Sequence, residues 1–150
     1  WPDNKGRDGC RTPMVWDADE THAGFSSGDP WLPVKAPQIA RSVSTQETQN
    51  DSTLAAYRAA LAFRRERDEL RYGETDFPKV PDPLLAVSRS LNGTVLTGVY
   101  NLSDTVQSVK VAANASLTGA SHGALDAGEL RLPAFGFAFV ETTAGDDVFL

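Results

Sequence analysis

The acidic run Asp17-Ala18-Asp19-Glu20 is the first group of side chains that could do chemistry, because closely spaced carboxylates bind calcium. The run lacks the third ligand, the central glycine and the distal glutamate of an EF-hand loop, which argues against a calcium site. Cys10, the single cysteine, could serve as a nucleophile, but a lone cysteine more often packs as a small apolar side chain. His22 and His122 lie 100 residues apart, which argues against a zinc site built from several histidines.

Signatures of nucleotide binding are missing from the sequence, which has no phosphate-binding P-loop and no Gly-x-Gly-x-x-Gly turn. The Asn-x-Ser/Thr matches at Asn50, Asn92, Asn101 and Asn114 need a secretory context that nothing in the sequence supplies. Composition and spacing alone therefore indicate no self-contained active site. They leave a Ser/His/Asp triad open, since serine and aspartate are common in the chain, but we expect no Gly-x-Ser-x-Gly nucleophile elbow.

The charge balance is acidic, with 14 Lys and Arg against 20 Asp and Glu and a formal net charge of −6. This excludes a protein held to nucleic acid or anionic lipid by bulk positive charge. Apolar residues make up 41% of the chain, which is enough to bury a core. No stretch approaches the roughly 20 apolar residues of a membrane-spanning helix. One cysteine excludes an intrachain disulfide, and among the possible compartments a reducing, cytoplasmic one fits best.

The beginning of the chain predicts an irregular segment that lies on another surface. It starts at Trp1 with neither an initiator methionine nor a signal peptide, so we expect a lost leader or an internal piece of a longer chain. Residues 1–50 hold five prolines and show no sustained helical or strand period. Their apolar side chains are too many for a solvated linker. These are Trp1, Met14, Trp16, Phe25, Trp31, Leu32, Val34 and Ile39.

The sequence from Asn50 to Gly73 predicts a helix with clear boundaries. Asn50-Asp51-Ser52 offers N-cap oxygens, and Leu54 and Leu61 follow at helical spacing among five alanines. The run Arg64-Arg65-Glu66-Arg67 places positive charge near the helix C-terminus, where the macrodipole favours it. We interpret this run as a solvated helix end rather than a phosphate site, and Gly73 as the stop after a short final turn.

From Leu84 onward the pattern predicts a small antiparallel β-sandwich of six or seven strands, after a proline-rich boundary at Phe77–Pro83. Leu84–Ser90 and Thr94–Asn101 flank an Asn-Gly pair, which is a strong hairpin signal. Further strands are expected at Val106–Ala113, around Leu117 and Leu125, and over Leu130–Leu132 and Ala134–Thr142.

Three phenylalanines alternate along the last predicted strand. Phe135, Phe137 and Phe139 would occupy one face of it. Such a stripe could form a platform for a ligand, but inside an apolar strand it more often lies in the core, and this is our prediction.

The string Gly6-Arg7-Asp8-Gly9-Cys10-Arg11-Thr12-Pro13-Met14-Val15-Trp16-Asp17 closely resembles the segment GRDxxRTPMxWD of the α-glucosidases and oligo-1,6-glucosidases of glycoside hydrolase family 13. The resemblance continues, in the family's order and spacing, along nearly the whole chain. It includes Ala23-Gly24-Phe25-Ser26, Pro30–Val34, Gln49, Asp51-Ser52, Tyr57-Arg58, the helical sequence LAFRRE, Val99–Ser103 and Pro133–Ala138.

The resemblance implies an architecture: the loop and last helix of a (β/α)8 TIM barrel, followed by an all-β antiparallel sandwich. Residues 1–77 are then the C-terminal end of the catalytic barrel, with the loop after strand 8 and the final helix, and residues 84–150 are the C-terminal β-sandwich domain. Active sites of such barrels are built from loops at the C-terminal ends of the strands. The partner of this segment would be the missing N-terminal barrel of the same protein.

The resemblance also says which functional residues to expect. Retaining glycosidases use two carboxylates about 5 Å apart, which in this family come from earlier barrel strands, so we expect no catalytic residue in this chain. Arg7 matches a family arginine that reaches the glucose in the −1 subsite, the alternative being an ion pair that anchors the loop. Arg11 is expected to tie down the loop, and Trp16 and Trp31 to be buried beneath it.

The function implied is that of the C-terminal portion of a bacterial-type α-glucosidase, which hydrolyses or transfers terminal α-linked glucose with retention of configuration. Its partners would be a small α-glucoside or oligosaccharide, with no nucleic acid and no membrane. No metal or cofactor is expected in this segment, and a structural calcium or magnesium ion would belong to the missing barrel. The alternative is a free-standing, non-catalytic β-sandwich module that binds carbohydrate or protein.

Overall fold

The computed structural model of the chain describes residues 6–119, 121–145 and 147–150. The first five residues, which the loop prediction includes, lie outside the described residues. The chain forms two compact units, Trp1–Arg58 and Ala59–Leu150. None of the described helices has both the length and the apolar character that crossing a membrane requires.

Short helical elements occupy the first unit, where the sequence predicted no regular structure. Single 3-10 turns cover Gly6–Cys10 and Thr21–Gly24, and the helices α1 and α2 cover Ala36–Ile39 and Val43–Glu47. The prediction was wrong because helical periodicity becomes visible only over about 11 residues or more. These elements are four or five residues long.

The predicted helix is confirmed as α3, Thr53–Glu66, which begins in the first unit and ends in the second. Ser52 caps it, since its Oγ accepts a hydrogen bond at 3.2 Å from the amide three residues further on. A short helix α4, Asp68–Tyr72, follows and stops at Gly73 as expected.

The second unit contains the predicted antiparallel β-sandwich. Its described strands are β1 Glu74–Asp76, β2 Leu84–Leu91, β3 Thr94–Asn101, β4 Gln107–Lys110, β5 Ser116–Thr118, β6 Ala124–Asp126, β7 Glu129–Leu132 and β8 Phe137–Thr143. One sheet has the order β1-β2-β3-β8-β5 and the other the order β4-β7-β6, with antiparallel neighbours throughout. The last of these described strands, β8, is therefore an interior strand of the larger sheet.

The hairpin between β2 and β3 confirms the Asn-Gly signal. Leu91 pairs with Thr94, and the turn residues Asn92 and Gly93 have φ values of 50° and 87°. Positive φ at both central residues is the geometry of a type I′ turn, which matches the twist of the flanking strands. Strand β1 was not predicted, because all three of its residues are exposed and carry no alternating pattern.

The hydrophobic core lies between the two sheets. Side chains that alternate along β2, β3, β7 and β8 point into it, together with residues of β4 and of the C-terminal segment. The buried members are Leu84, Val99, Val109, Val111, Leu130, Leu132, Ala138, Val140 and Val148.

The prediction that the phenylalanine stripe lies in the core was wrong. Phe135 is not in a strand: it lies in a turn before β8 with a φ of 52° and is 70% exposed. Phe137 and Phe139 share one face of β8, but the face that enters the core carries Ala138 and Val140, which are fully buried. The phenylalanines lie instead on the outer face of the larger sheet, where they are half-buried.

This outer face packs against the end of α3. The ring centroids of Phe63 and Phe139 are 4.8 Å apart, and Phe137 meets Phe139 edge-on at 5.7 Å. Gly119 leaves room for the helix side chain, because a Cβ atom at this position would lie 2.6 Å from the Phe63 ring. The aromatic rings thus attach the end of the helix to the sheet.

An ion-paired arginine extends the same contact. Arg67, between α3 and α4, donates hydrogen bonds to Glu141 of β8 and to Glu69 of α4, the latter at 3.1 Å. Burial alone would lower the pKa of the Arg67 guanidinium, but the hydrogen bonds to Glu141 and Glu69 outweigh it and hold that pKa above its ordinary value. Arg67 is therefore charged at all relevant pH values and holds α4 to the sheet.

We predict that Leu130→Ala lowers the free energy of unfolding by about 2–5 kcal/mol, because this fully buried side chain would leave a cavity between the sheets. Leu102 is 61% exposed, so Leu102→Ala should change the free energy of unfolding by less than about 0.5 kcal/mol. Urea denaturation of the full-length protein measures both values. Equal losses in the two variants would contradict the assigned core.

Candidate functional site

Arg7, the predicted site residue, lies in the 3-10 turn at the start of the described chain. A backbone hydrogen bond from the Arg11 amide to the Asp8 carbonyl, at 3.1 Å, closes this turn. The Arg7 side chain is exposed and forms no ion pair with any residue that the structure describes. The turn thus fixes the backbone while the guanidinium stays available for a ligand or for a carboxylate from elsewhere.

Arg11 and Cys10, which follow Arg7 closely in the sequence, both differ from what the sequence predicted. Arg11 has an ion pair with Asp8 at 3.9 Å, but an exposed pair at this distance contributes little to holding a loop. Cys10 was expected to pack as an apolar side chain, and this was wrong: it is exposed, and its Sγ donates to the Arg7 carbonyl at 2.9 Å.

Backbone hydrogen bonds fold the segment after Arg7 back on itself. The amides of Trp16 and Asp17 both donate to the Ala23 carbonyl, at 2.9 and 3.1 Å. The carbonyls of Val15 and Trp16 accept from the first two amides of α2, at 3.0 and 2.9 Å. An irregular segment thereby satisfies its backbone groups without a sheet or a long helix.

A left-handed turn closes this fold. His22, Ala23 and Gly24 have successive φ values of 51°, 56° and 69°. Only glycine adopts this region without cost, and the two other residues are strained by roughly 1–2 kcal/mol each. Strain of this kind concentrates at functional sites, where the surrounding structure holds it in place. A Cβ atom at Gly24 would lie 3.4 Å from that of Trp16, so the turn also packs closely on the tryptophan.

Side-chain hydrogen bonds connect the rest of the segment. Ser42 is fully buried and caps α2 by accepting from the Thr45 amide at 3.2 Å. Gln38 donates to the Thr12 hydroxyl at 2.6 Å and so ties α1 to the residues after the Arg7 turn. Gln46 accepts from the Leu54 amide at 3.1 Å, which links α2 to the start of α3.

A bidentate ion pair joins the same two helices. The Arg58 guanidinium donates to both carboxylate oxygens of Glu47, at 2.6 and 2.7 Å. The hydrogen bond from Arg58 lowers the pKa of the Glu47 carboxyl, and the same bond raises the pKa of Arg58. A lowered carboxyl pKa means that this contribution to stability is present above the unfolded-state pKa and is lost as the pH falls through the folded-state value.

The expected burial of the two tryptophans is not observed. Trp16 is 52% exposed and Trp31 is 74% exposed. Met14 and Phe25 are also about half exposed. Many of the large apolar side chains of this unit therefore face away from its own small core. These side chains are available either to a covering surface or to a ligand.

The described residues do not form the metal site or the hydrolase nucleophile turn that the sequence raised as candidates. Among residues 6–119, 121–145 and 147–150, no three His, Cys, Asp or Glu side chains are grouped to hold a metal ion. Asp17 instead forms a turn, its Oδ1 accepting from the Asp19 amide at 3.0 Å. Ser26 and Ser121 each stand in a Gly-x-Ser-x-Gly pattern, but neither lies at the strand-to-helix turn that a hydrolase nucleophile requires.

A family model supports the resemblance read from the sequence. Residues 1–73 match the model for the α-amylase catalytic domain.

Two relatives share sequence with two thirds or more of the chain, and a solved structure shares its fold. A probable α-glucosidase of Rhizobium meliloti (strain 1021) is 39% identical over 142 residues, which are 93% of this chain and 26% of that protein. The oligo-1,6-glucosidase of Parageobacillus thermoglucosidasius is 34% identical over 67% of this chain and 18% of its own length. The crystal structure of XgtA, an α-glucosyl transfer enzyme, superposes with a TM-score of 0.83 at 39% identity, covering 94% of this chain and 27% of that one.

The chain belongs to glycoside hydrolase family 13 and corresponds to the C-terminal part of its members. Its fold is the end of the family's barrel followed by an antiparallel β-sandwich. The chain spans 18 to 27% of the length of the relatives named above.

We predict that Gly24→Ala lowers stability by about 1–2 kcal/mol, because a side chain is strained at a φ of 69° and meets Trp16. Gly28→Ala is the matched control: its Cβ atom would have no neighbour closer than 4.0 Å. Thermal unfolding and tryptophan fluorescence of the full-length protein measure the two changes. The turn would not be as described if both variants behaved like the parent protein.

Proposed function

We propose that the protein to which this chain belongs is a retaining α-glucosidase that hydrolyses terminal α-linked glucose from small saccharides. The observation that carries the proposal is the 39% identity to a probable α-glucosidase over 93% of the chain. The similarity to oligo-1,6-glucosidases supports the same substrate class. Its partners would be an N-terminal barrel of the same protein and an α-glucoside or small oligosaccharide.

In this proposal residues 1–77 complete the catalytic barrel and residues 84–150 form a sandwich that stabilises it. The match of residues 1–73 to the α-amylase catalytic domain supports the first part. The chain would carry no catalytic carboxylate, so both the nucleophile and the general acid would come from the preceding barrel. Its contribution to the reaction would be the rim of the glucose pocket.

Arg7 is the residue that we propose for substrate binding. A guanidinium presents planar donors that can bond a carboxylate and a sugar hydroxyl together. Its exposure on a closed turn, without an ion-pair partner among the described residues, supports a role in binding a group outside those residues. The competing role, an anchor of its own loop, would need a carboxylate within this unit.

Transfer of glucose to an acceptor sugar is a second candidate activity. The similarity to XgtA, an α-glucosyl transfer enzyme, supports it. Hydrolysis and transfer share the covalent glycosyl intermediate and differ only in whether water or a hydroxyl resolves it. A free-standing binding module is not favoured, because the similarity includes the first 73 residues and not the sandwich alone.

The full-length protein is expected to release p-nitrophenol from p-nitrophenyl α-D-glucoside and to leave the β-anomer untouched. An oligosaccharide acceptor added to the assay should divert part of the glucose into longer products if transfer occurs. Cleavage of neither glucoside, in a folded protein, would overturn the proposed activity.

Arg7→Ala should lower kcat/KM on the same α-glucoside by about tenfold to a hundredfold, because charge-assisted hydrogen bonds to the sugar are lost. Arg41→Ala is the matched control: Arg41 is exposed in the same unit, and the one hydrogen bond that its side chain donates to a described residue goes to the Pro37 carbonyl. It should leave kcat/KM unchanged. Steady-state kinetics, with melting temperatures to show that both variants fold, measure the effect, and unchanged turnover in Arg7→Ala would remove its substrate role.

A further inference from the structure

The side-chain amide of Gln38 forms a hydrogen bond at each end, and the two ends reach different parts of the first unit. Its Oε1 accepts from the Lys35 amide at 2.9 Å, which caps the start of α1. Its Nε2 donates to the Thr12 hydroxyl at 2.6 Å, across 26 residues of chain. Gln38 and Thr12 are both half-buried. One side chain therefore joins α1 to the segment that carries Arg7.

The contact with Lys35 fixes which end of the Gln38 amide faces Thr12. A backbone amide can only donate, so the atom that it meets is the side-chain oxygen, and the NH₂ group points to Thr12. The main chain of Gln38 is held as well. Its amide donates to the Lys35 carbonyl at 2.8 Å, and its carbonyl accepts from the Arg41 amide at 3.0 Å. The donor to Thr12 is thereby kept in one orientation.

The turn that carries Arg7 has a fixed shape, because the Arg11 amide donates to the Asp8 carbonyl at 3.1 Å. Thr12 is the next residue along the chain. Among the described residues, the bond between Gln38 and Thr12 is the one hydrogen bond that runs from the stretch Arg7–Thr12 to a later part of the chain. The direction of the turn therefore depends on this bond.

Packing of the neighbouring Pro13 does not replace it. Pro13 is buried, but apolar burial has no preferred direction, whereas a hydrogen bond weakens steeply as its angle departs from linear. Loss of the bond at Thr12 would let the turn rotate about Pro13. The Arg7 guanidinium stands at the end of a long side chain, so a rotation of the turn displaces it by more than the backbone. A displacement of about 1 Å in a positioned group can cost about a hundredfold in rate.

We propose that Gln38 is a positioning residue for Arg7. By holding Thr12 it sets the direction of the turn, and the direction of the turn sets where the guanidinium meets the sugar. This role rests on the function proposed for Arg7 in substrate binding, and it adds the group that keeps Arg7 in place. Gln38 acts through Thr12 and the turn, without a contact of its own to the substrate.

The test is a double-mutant cycle on the full-length protein, read out as kcat/KM on p-nitrophenyl α-D-glucoside. Thr12→Val removes the acceptor and leaves the cap of α1 intact. It should lower kcat/KM by about twofold to tenfold, the range expected for one lost hydrogen bond between neutral groups. In the Arg7→Ala background the same change should leave kcat/KM unaltered, because the group that is positioned is gone. Equal losses in both backgrounds, or no loss in either, would overturn the proposal.

Three further variants separate positioning from a general loss of stability. Gln38→Leu removes the donor and should reproduce the effect of Thr12→Val, whereas Thr12→Ser keeps the hydroxyl and should restore the kcat/KM of the parent. Thr48→Val is the matched control, since the Thr48 hydroxyl donates to the Thr45 carbonyl at 2.9 Å at the end of α2. It should leave kcat/KM unchanged. Parent-like turnover in Gln38→Leu, or a Thr12→Ser as impaired as Thr12→Val, would contradict the role of Gln38.

Amide hydrogen exchange of the full-length protein tests the same bond without reference to activity. Thr12→Val and Gln38→Leu should each speed exchange by about twofold to tenfold in a peptide that covers residues 7–12, where the Arg11 amide closes the turn. Exchange over residues 16–24, which have backbone hydrogen bonds of their own, should not change. Unaltered exchange in the first peptide would overturn the proposal even in an active enzyme. If the parent protein cleaves no α-glucoside, the proposed function fails, and the exchange rates still decide whether Gln38 holds the turn.

Discussion

Strand β8 makes packing contacts on both faces, with the core on one side and with the helical segment on the other, and the packing of the second unit depends on this. Ala138 and Val140 enter the core between the sheets, while Phe139 and Glu141 contact the helical segment through Phe63 and Arg67. Because both faces make contacts, small and β-branched side chains on the inner face of β8 alternate with phenylalanine side chains on its outer face. The inner face has to fit between two sheets about 10 Å apart, and the outer face has to hold a helix.

The contacts of β8 also bear on how the region that matches the catalytic domain is joined to the β-sandwich. The match to the α-amylase catalytic domain ends at residue 73, so Phe63 and Arg67 belong to the matched region while Phe139 and Glu141 belong to the sandwich. An aromatic contact and a partly buried ion pair are a stiffer connection than a linker would provide. The sandwich is thereby coupled to the helix that ends the barrel in the proposed architecture.

Features carried by local sequence were predictable, and those that depend on packing were not. The α3 cap at Ser52 and the hairpin turn at Asn92-Gly93 follow from backbone preferences within a few residues. The face occupied by Phe139 depends on which surface the helix covers, and alternation alone does not specify it. Arg7 is proposed as a site residue through the resemblance, whereas the strained turn behind Trp16 has Gly24 as its only local signal in the sequence.

The short helices, the left-handed turn and the buried Ser42 give residues 6–47 a definite fold that presents Arg7 and several apolar side chains outward. This is the arrangement expected of a segment that completes a pocket begun by another part of the protein. The proposed activity is tested most directly by the anomeric form of the first product, followed by ¹H NMR as the full-length protein cleaves an α-glucoside. A retaining α-glucosidase releases α-glucose first, and mutarotation then produces the β-anomer. Initial release of β-glucose, or no glucose, would contradict it.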